Sequence, residues 1–174
     1  MEKQGVMIAA DTIRFERRLK GSVKKVWSFL TESDKRGKWL ATGEMELFEG
    51  GKVNLHFFHQ DLSPLPGSPP EKYKNMASGH HFTGTVLKID PPHLLSFTWE
   101  DQSEVTFELT EEGETVLLTV IHRKLAANKD VRLSVAGGWH THLDILIACL
   151  EGATPPNFWS TDARMEEYYS TIIN

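Results

Sequence analysis

Eight histidines, one cysteine and a few well-placed carboxylates are the residues of this chain that could do chemistry. Metal binding is tested first. His80 and His81 are adjacent, and successive strand residues point to opposite faces, so on a strand they cannot chelate one ion. His140 and His142 are two apart, which on a helix separates them by roughly 200°. His56 and His59 fall on opposite faces of one strand. One pairing survives: His59 with His80 or His81, which flank a long loop that adjacent strands could close. Two imidazoles with no cysteine or carboxylate pattern make a poor zinc site, so rim or exposed positions are expected and no metal is assigned.

Nucleophilic chemistry has less support. Cys149 sits in the apolar run LIACLEG with no activating cation beside it, and reads as a small buried hydrophobe. There is no serine nucleophile elbow and no glycine-rich phosphate loop. Acid–base work is the stronger option. Glu100, His122 and His140 end or enter elements that should face a common interior, and a buried carboxylate beside imidazole could move protons. The reading favoured here is that Glu100-Asp101 is a solvated strand end. No catalytic residue and no cofactor is therefore assigned.

The aromatic residues are more informative. Trp39, Phe57, Phe82, Phe97, Trp99, Phe107 and Trp139 are spread over elements that would surround one interior space. Most of them are expected to be ordinary core. A minority, with Leu143 and with His122 or His140, would line a pocket with an apolar floor and a polar mouth. Those ten residues are the candidate ligand-binding set.

The elements that must position them follow from periodicity. Asp11 to Leu19 alternates, with Ile13, Phe15, Arg17 and Leu19 on one strand face. Ser22 can cap a helix carrying Val23, Val26, Trp27 and Leu30, and a second short helix is expected from Ser33 to Trp39. Residues 44–48 then alternate, with Gly50-Gly51 as a hairpin turn and Lys52 to His59 as the returning strand. Residues 60–78 hold LSPLPGSPP, which reads as loop, and a loop this long often borders a site. Strands are expected over 79–89, 93–100, 104–109 and 115–122. The last, VLLTVIH, is apolar enough to suggest burial on both faces. A long helix spans Asn128 to Leu150 with Gly152 as its C-cap, and a final helix runs from Asp162 to Ile172.

Length and composition bound the class. The chain has 174 residues, which favours one domain of residues 1–174, with a core over 11–152 and a C-terminal extension over 153–174. Nineteen basic against 24 acidic residues leave a formal charge of −5, so nucleic acid is not an expected partner. No apolar run reaches the roughly 20 residues of a membrane-spanning helix. The N-terminus has no signal-peptide core, and a single cysteine excludes an internal disulfide, so the expected setting is the cytoplasm. If every histidine titrated near its reference pKa of ~6.5, the charge would swing to about +3.

Four stretches carry a resemblance: IRFERRLKGSVKKVWSFLTESDKRGKWL, GTVLKIDPPHLLSFTWED, VTFELTEEGETVLLTVIHRKL and GGWHTHLDILIACLEG. In order, across residues 12 to 152, they resemble the START-like, helix-grip superfamily, also called SRPBCC. Within it they are similar to the homologues of the activator of the heat-shock protein 90 ATPase. The resemblance implies an α+β helix-grip fold. A curved antiparallel sheet of six or seven strands wraps a long C-terminal helix, with two short helices after the first strand and an extra C-terminal helix. It also implies a cavity between sheet and helix that takes a small hydrophobic molecule. Because one fold hosts many functions, two alternatives stay open. One is a cyclase- or hydratase-type enzyme using a cavity histidine. The other is a chaperone-cofactor module, with a chaperone as protein partner. The chain itself is expected to be a monomer or homodimer.

Overall fold

A computed structural model of the protein describes residues 4–174. Its frame is a seven-stranded antiparallel sheet in the order β1-β2-β7-β6-β5-β4-β3, curved and unclosed. Strands β2 (Thr12–Lys20) and β7 (Thr115–Arg123) pair along their whole length, Ile13 opposite His122 and Lys20 opposite Thr115. β6 (Glu104–Glu112), β5 (Leu94–Thr98), β4 (His80–Asp90) and β3 (Lys52–Phe57) continue the sheet, and β1 (Val6–Ala9) adds an edge strand. Alternation sends Leu95, Phe97, Val105, Phe107, Leu118 and Val120 to the concave face, where each is fully buried. Burying side chains of this size is worth roughly 1.5–3 kcal/mol each.

Helix α3 (Lys129–Glu151) lies across that face. Asn128 caps it by accepting from the amides of Asp130 and Val131, and Gly152 ends it at φ +70°, in the left-handed region that glycine enters freely. Trp139 on α3 meets Phe107 of β6 edge-on at 5.8 Å. Helix α1 (Val23–Thr31) starts where Ser22 accepts from Lys25 N–H, as its sequence indicates. Helix α4 (Phe158–Ser170) packs on α3 and places Phe158, Trp159 and Tyr169 in the same core.

Several expectations need correction. Residues 44–48 are not a strand. Only isolated bridges form there, Thr42 with His56 and Met45 with Val53. The segment still bonds β3 through Thr42, Glu44 and Glu46, but Gly43 at φ +124° breaks its extended run. Beside it Arg36, fully buried at the end of α2 (Ser33–Arg36), donates from its guanidinium to the carbonyls of Leu30, Thr31, Ala41 and Gly43. Burial drives the Arg36 pKa down to about 10. Helix α2 also stops three residues short of Trp39. Strand β3 ends at Phe57, and His59 belongs to a 3-10 turn over His59–Leu62 instead. The proline-rich stretch holds a second such turn, Glu71–Met76. β7 is fully buried only on its concave side, where Val116, Leu118, Val120 and His122 sit. The last helix begins at Phe158, four residues before Asp162.

Candidate functional site

Between α3, the ends of β3, β4 and β7, the two 3-10 turns and α4 lies a cavity of about 190 Å³. Its apolar wall starts on neighbouring strands. Phe57 of β3 and Phe82 of β4 stack at 5.6 Å, and Trp99, just after β5, meets Phe82 edge-on at 4.8 Å. Trp99 also packs on Trp139 of α3 at 5.4 Å. Leu40, Met76, Phe158 and Trp159 complete the apolar lining. Gly138 of α3 lines it too, because a Cβ there would meet nothing within 4 Å.

The polar lining is mostly imidazole. Trp139 donates from Nε1 to His122 Nδ1 at 3.0 Å, which leaves the one ring proton of neutral His122 on Nε2. That proton goes to Ser103 Oγ at 2.6 Å, and Ser103 in turn donates to Asp101. The relay uses every donor and acceptor of the ring. Burial holds the His122 pKa at about 4, with Asp101 only partly opposing it. His142 Nδ1 lies 2.8 Å from the Trp39 carbonyl, which can only accept, so Nδ1 carries the proton and Nε2 a lone pair. Burial lowers this pKa to about 4 as well. His59 packs among Phe57, Phe158 and Trp159 at ring distances of 5.5, 4.4 and 4.9 Å. Its pKa falls to about 3, chiefly through burial and then through His142 and His80. Its Nδ1 is buried with no hydrogen-bond partner among the described residues. These three rings therefore do not join any charge swing near pH 6.5.

At the mouth, His80 Nε2 meets Glu100 Oε2 at 2.8 Å. At the α4 end, Tyr73 shares its hydroxyl with Ser134 Oγ and Glu166 Oε2, and Lys72 bonds Glu166 Oε1 at 2.7 Å. Asp162, one turn beyond Phe158, lines the cavity beside them. Burial, then the neighbouring Glu166, pushes the Asp162 pKa up to about 8. Its Oδ1, which lies against Gly137 of α3, is also buried without a hydrogen-bond partner among the described residues.

Of the ten candidate residues, Phe57, Phe82, Trp99, His122 and Trp139 line the cavity. Trp39, Phe97, Phe107, His140 and Leu143 do not. Trp39 is fully buried behind the wall and donates to the Phe29 carbonyl. Phe97, Phe107 and Leu143 are solid core. His140 faces the opposite way from His142 around α3, against Phe15 and Tyr169, with Tyr169 Oη 2.8 Å from its Nδ1. Glu100 reaches the mouth while remaining exposed, as a strand end should. Cys149 is half-buried, its Sγ 3.6 Å from the Lys38 carbonyl.

Sequence reasoning missed His142, Tyr73 and the α4 residues as site components, and weighed His59 only as a metal ligand. Helical spacing already put His142 on the far side from His140, which was the available signal for it. Phe158-Trp159 after the Asn157 cap was the signal for α4. Among the described residues, no three His, Cys, Asp or Glu side chains are grouped to hold a metal ion, and no helix is long and apolar enough to cross a membrane.

A curved antiparallel sheet gripping one long helix, with a hollow between them, defines a helix-grip protein of the SRPBCC type. Residues 20–151 match the family described as activator of Hsp90 ATPase homolog 1-like protein, and the chain belongs to that family. A Bordetella parapertussis protein solved by solution NMR is 40% identical, with a TM-score of 0.81, over 99% of this chain and 91% of its own. CalU16 from Micromonospora echinospora is 24% identical with a TM-score of 0.65, over 98% of this chain and 95% of its own. DynU16, from the dynemicin biosynthetic locus, is 20% identical with a TM-score of 0.63, covering 83% of this chain and 49% of its own. The last two show the fold alone. No curated protein is detectably similar to the chain.

Proposed function

We propose that this protein binds a small, largely apolar molecule of one or two rings in the cavity between sheet and long helix. The observation that carries the reading is a hollow of about 190 Å³ walled by Phe57, Phe82, Trp99 and Trp139 and edged by imidazoles held neutral. A dry apolar cavity of roughly 150 Å³ is enough to take benzene, so this one suits a slightly larger body. Aromatic walls with a few placed polar groups are the usual make-up of such sites.

The same histidines count against an acid–base mechanism run by a cavity histidine. A general base works best with a pKa near the working pH. His59, His122 and His142 lie near 3 to 4, and both ring nitrogens of His122 are already engaged. A chaperone partnership rests on family membership, whereas the cavity gives binding a physical basis of its own. We keep the cytoplasm as the setting, on the single unpaired cysteine.

Calorimetric titration with 2-naphthol tests the reading. One saturable site with a negative heat-capacity change is expected, since apolar burial produces that sign. Gly138→Leu should place its side chain in the hollow and weaken binding by at least tenfold. Absence of saturable binding, or equal binding by Gly138→Leu, would refute it.

A further inference from the structure

We propose that the α4 end of the cavity is an ammonium subsite, so that the molecule it takes is an apolar amine whose protonated nitrogen is held by Asp162, His59 and His142. This rests on the cavity-binding reading above and adds the ligand's charge and chemistry to it.

The first support is an inventory of donors and acceptors. All but one of these donors of the site are engaged by the protein: Trp139 Nε1 by His122, Trp159 Nε1 by Gln60 Oε1, His142 Nδ1 by the Trp39 carbonyl, and the Tyr73 hydroxyl by Ser134 and Glu166, which leaves the single ring proton of His59. What remains besides that proton are lone pairs. Asp162 Oδ1 and His59 Nδ1 are buried without partners among the described residues, on side chains only 4% and 8% exposed. His142 offers Nε2, and its ring centre is 5.7 Å from that of His59. A neutral His59 is free to put its proton on Nε2 and keep Nδ1 as an acceptor. Such a site needs a guest that brings donors. A primary ammonium brings three on one atom.

The second support is the charge count. Asp162 and Glu166 are two hydrogen-bonded carboxyls, and the cation acting on them is Lys72, which bonds Glu166. One cation does not balance two carboxylates in a buried place, so the pair retains a proton. A ligand ammonium supplies the missing positive charge and displaces that proton. The groups facing Asp162 are Glu166 from its own helix, Lys72 and Tyr73 from the 3-10 turn, and the α3 backbone at Gly137. None of them can replace the proton. Aromatic faces at Phe158 and Trp159 beside His59 add the quadrupole that favours a cation over an anion.

The experiment compares three one-ring probes of like shape by calorimetry on the full chain: 2-phenylethylamine, 2-phenylethanol and 3-phenylpropanoate. The amine should bind at least tenfold more tightly than the alcohol at pH 7.5, and the carboxylate most weakly. Titration in buffers of different ionisation enthalpy should show close to one proton released per amine bound at pH 7, and none for the alcohol. Amine affinity should rise about tenfold from pH 6 to pH 7 as the proton becomes easier to displace. Asp162→Asn should erase the amine's advantage over the alcohol, both measured on that variant, and abolish the proton release. The wild-type proton count stands on its own should that variant fail to fold. Equal amine and alcohol affinity with no proton release overturns the ammonium subsite and leaves the cavity reading standing. Failure of all three probes and of 2-naphthol overturns both.

Discussion

Two neighbouring glycines on α3 should respond to the same methyl group with opposite sign. Gly137 and Gly138 are both mid-helix, where glycine costs about 0.8–1.0 kcal/mol relative to alanine. At Gly138 an added Cβ meets nothing within 4 Å, because that side of the helix borders the cavity. Gly138→Ala should therefore recover the full propensity gain and stabilise by about 1 kcal/mol. At Gly137 the Cβ would lie 2.7 Å from Glu166 Cγ, 3.0 Å from Asp162 Oδ1 and 3.3 Å from the Glu166 backbone nitrogen. A backbone neighbour cannot rotate away, so α4 must shift. Overpacking of this kind costs roughly 1–3 kcal/mol, which cancels or exceeds the propensity gain. The two variants should differ by about 1–3 kcal/mol, or by roughly 2–12 °C in melting temperature for a chain of this size. Urea unfolding at constant m-value measures the difference directly. Equal stability, or a more stable Gly137→Ala, would show that α4 does not sit against α3 as described.

Acid should destabilise this protein earlier than carboxylate titration alone would. His59, His122 and His142 have folded pKa values near 3 to 4, below their unfolded ~6.5, so the unfolded chain takes up protons first and stability falls as pH drops below 6.5. Asp162, raised to about 8, works the other way. Near pH 5 the three histidines outweigh Asp162, so the unfolded state holds more protons and stability falls with falling pH, and urea midpoints unchanged between pH 7.5 and 5 would contradict this. Ser103→Ala strands the buried His122 Nε2–H and should cost about 1–3 kcal/mol in urea unfolding, and a loss under 0.5 kcal/mol would discount the relay. Arg36→Met removes the donor from four carbonyls and should cost more than ~3 kcal/mol, with a melting temperature lowered by roughly 6–12 °C. A normal melting temperature would show that water serves the 41–43 segment as well as the guanidinium does.

Much of the frame was legible because its signals are local. Ser22 and Asn128 cap helices through side chains two or three residues from the amides they satisfy, and Gly152 ends α3 through its own φ. Alternation in 12–20 and 115–123 sorts inward from outward residues without knowledge of the partner strand. Trp139, opening an apolar stripe after two glycines, was readable as a residue of the sheet-facing side for the same reason. Periodicity nevertheless stops at inside against outside. It cannot separate Phe82 and Trp99, which face a hollow, from Phe97 and Phe107, which face solid core, since all four alternate inward alike. A hollow exists where several elements fail to close on one another, and here those elements come from residues 57, 99, 139 and 159, far apart in the chain. The same holds for charge. The Asp162 pKa rises and those of three histidines fall because α4 and the 3-10 turns bury these groups at one end of the sheet. Residue types were written in the sequence, but the dielectric around them is set by tertiary packing.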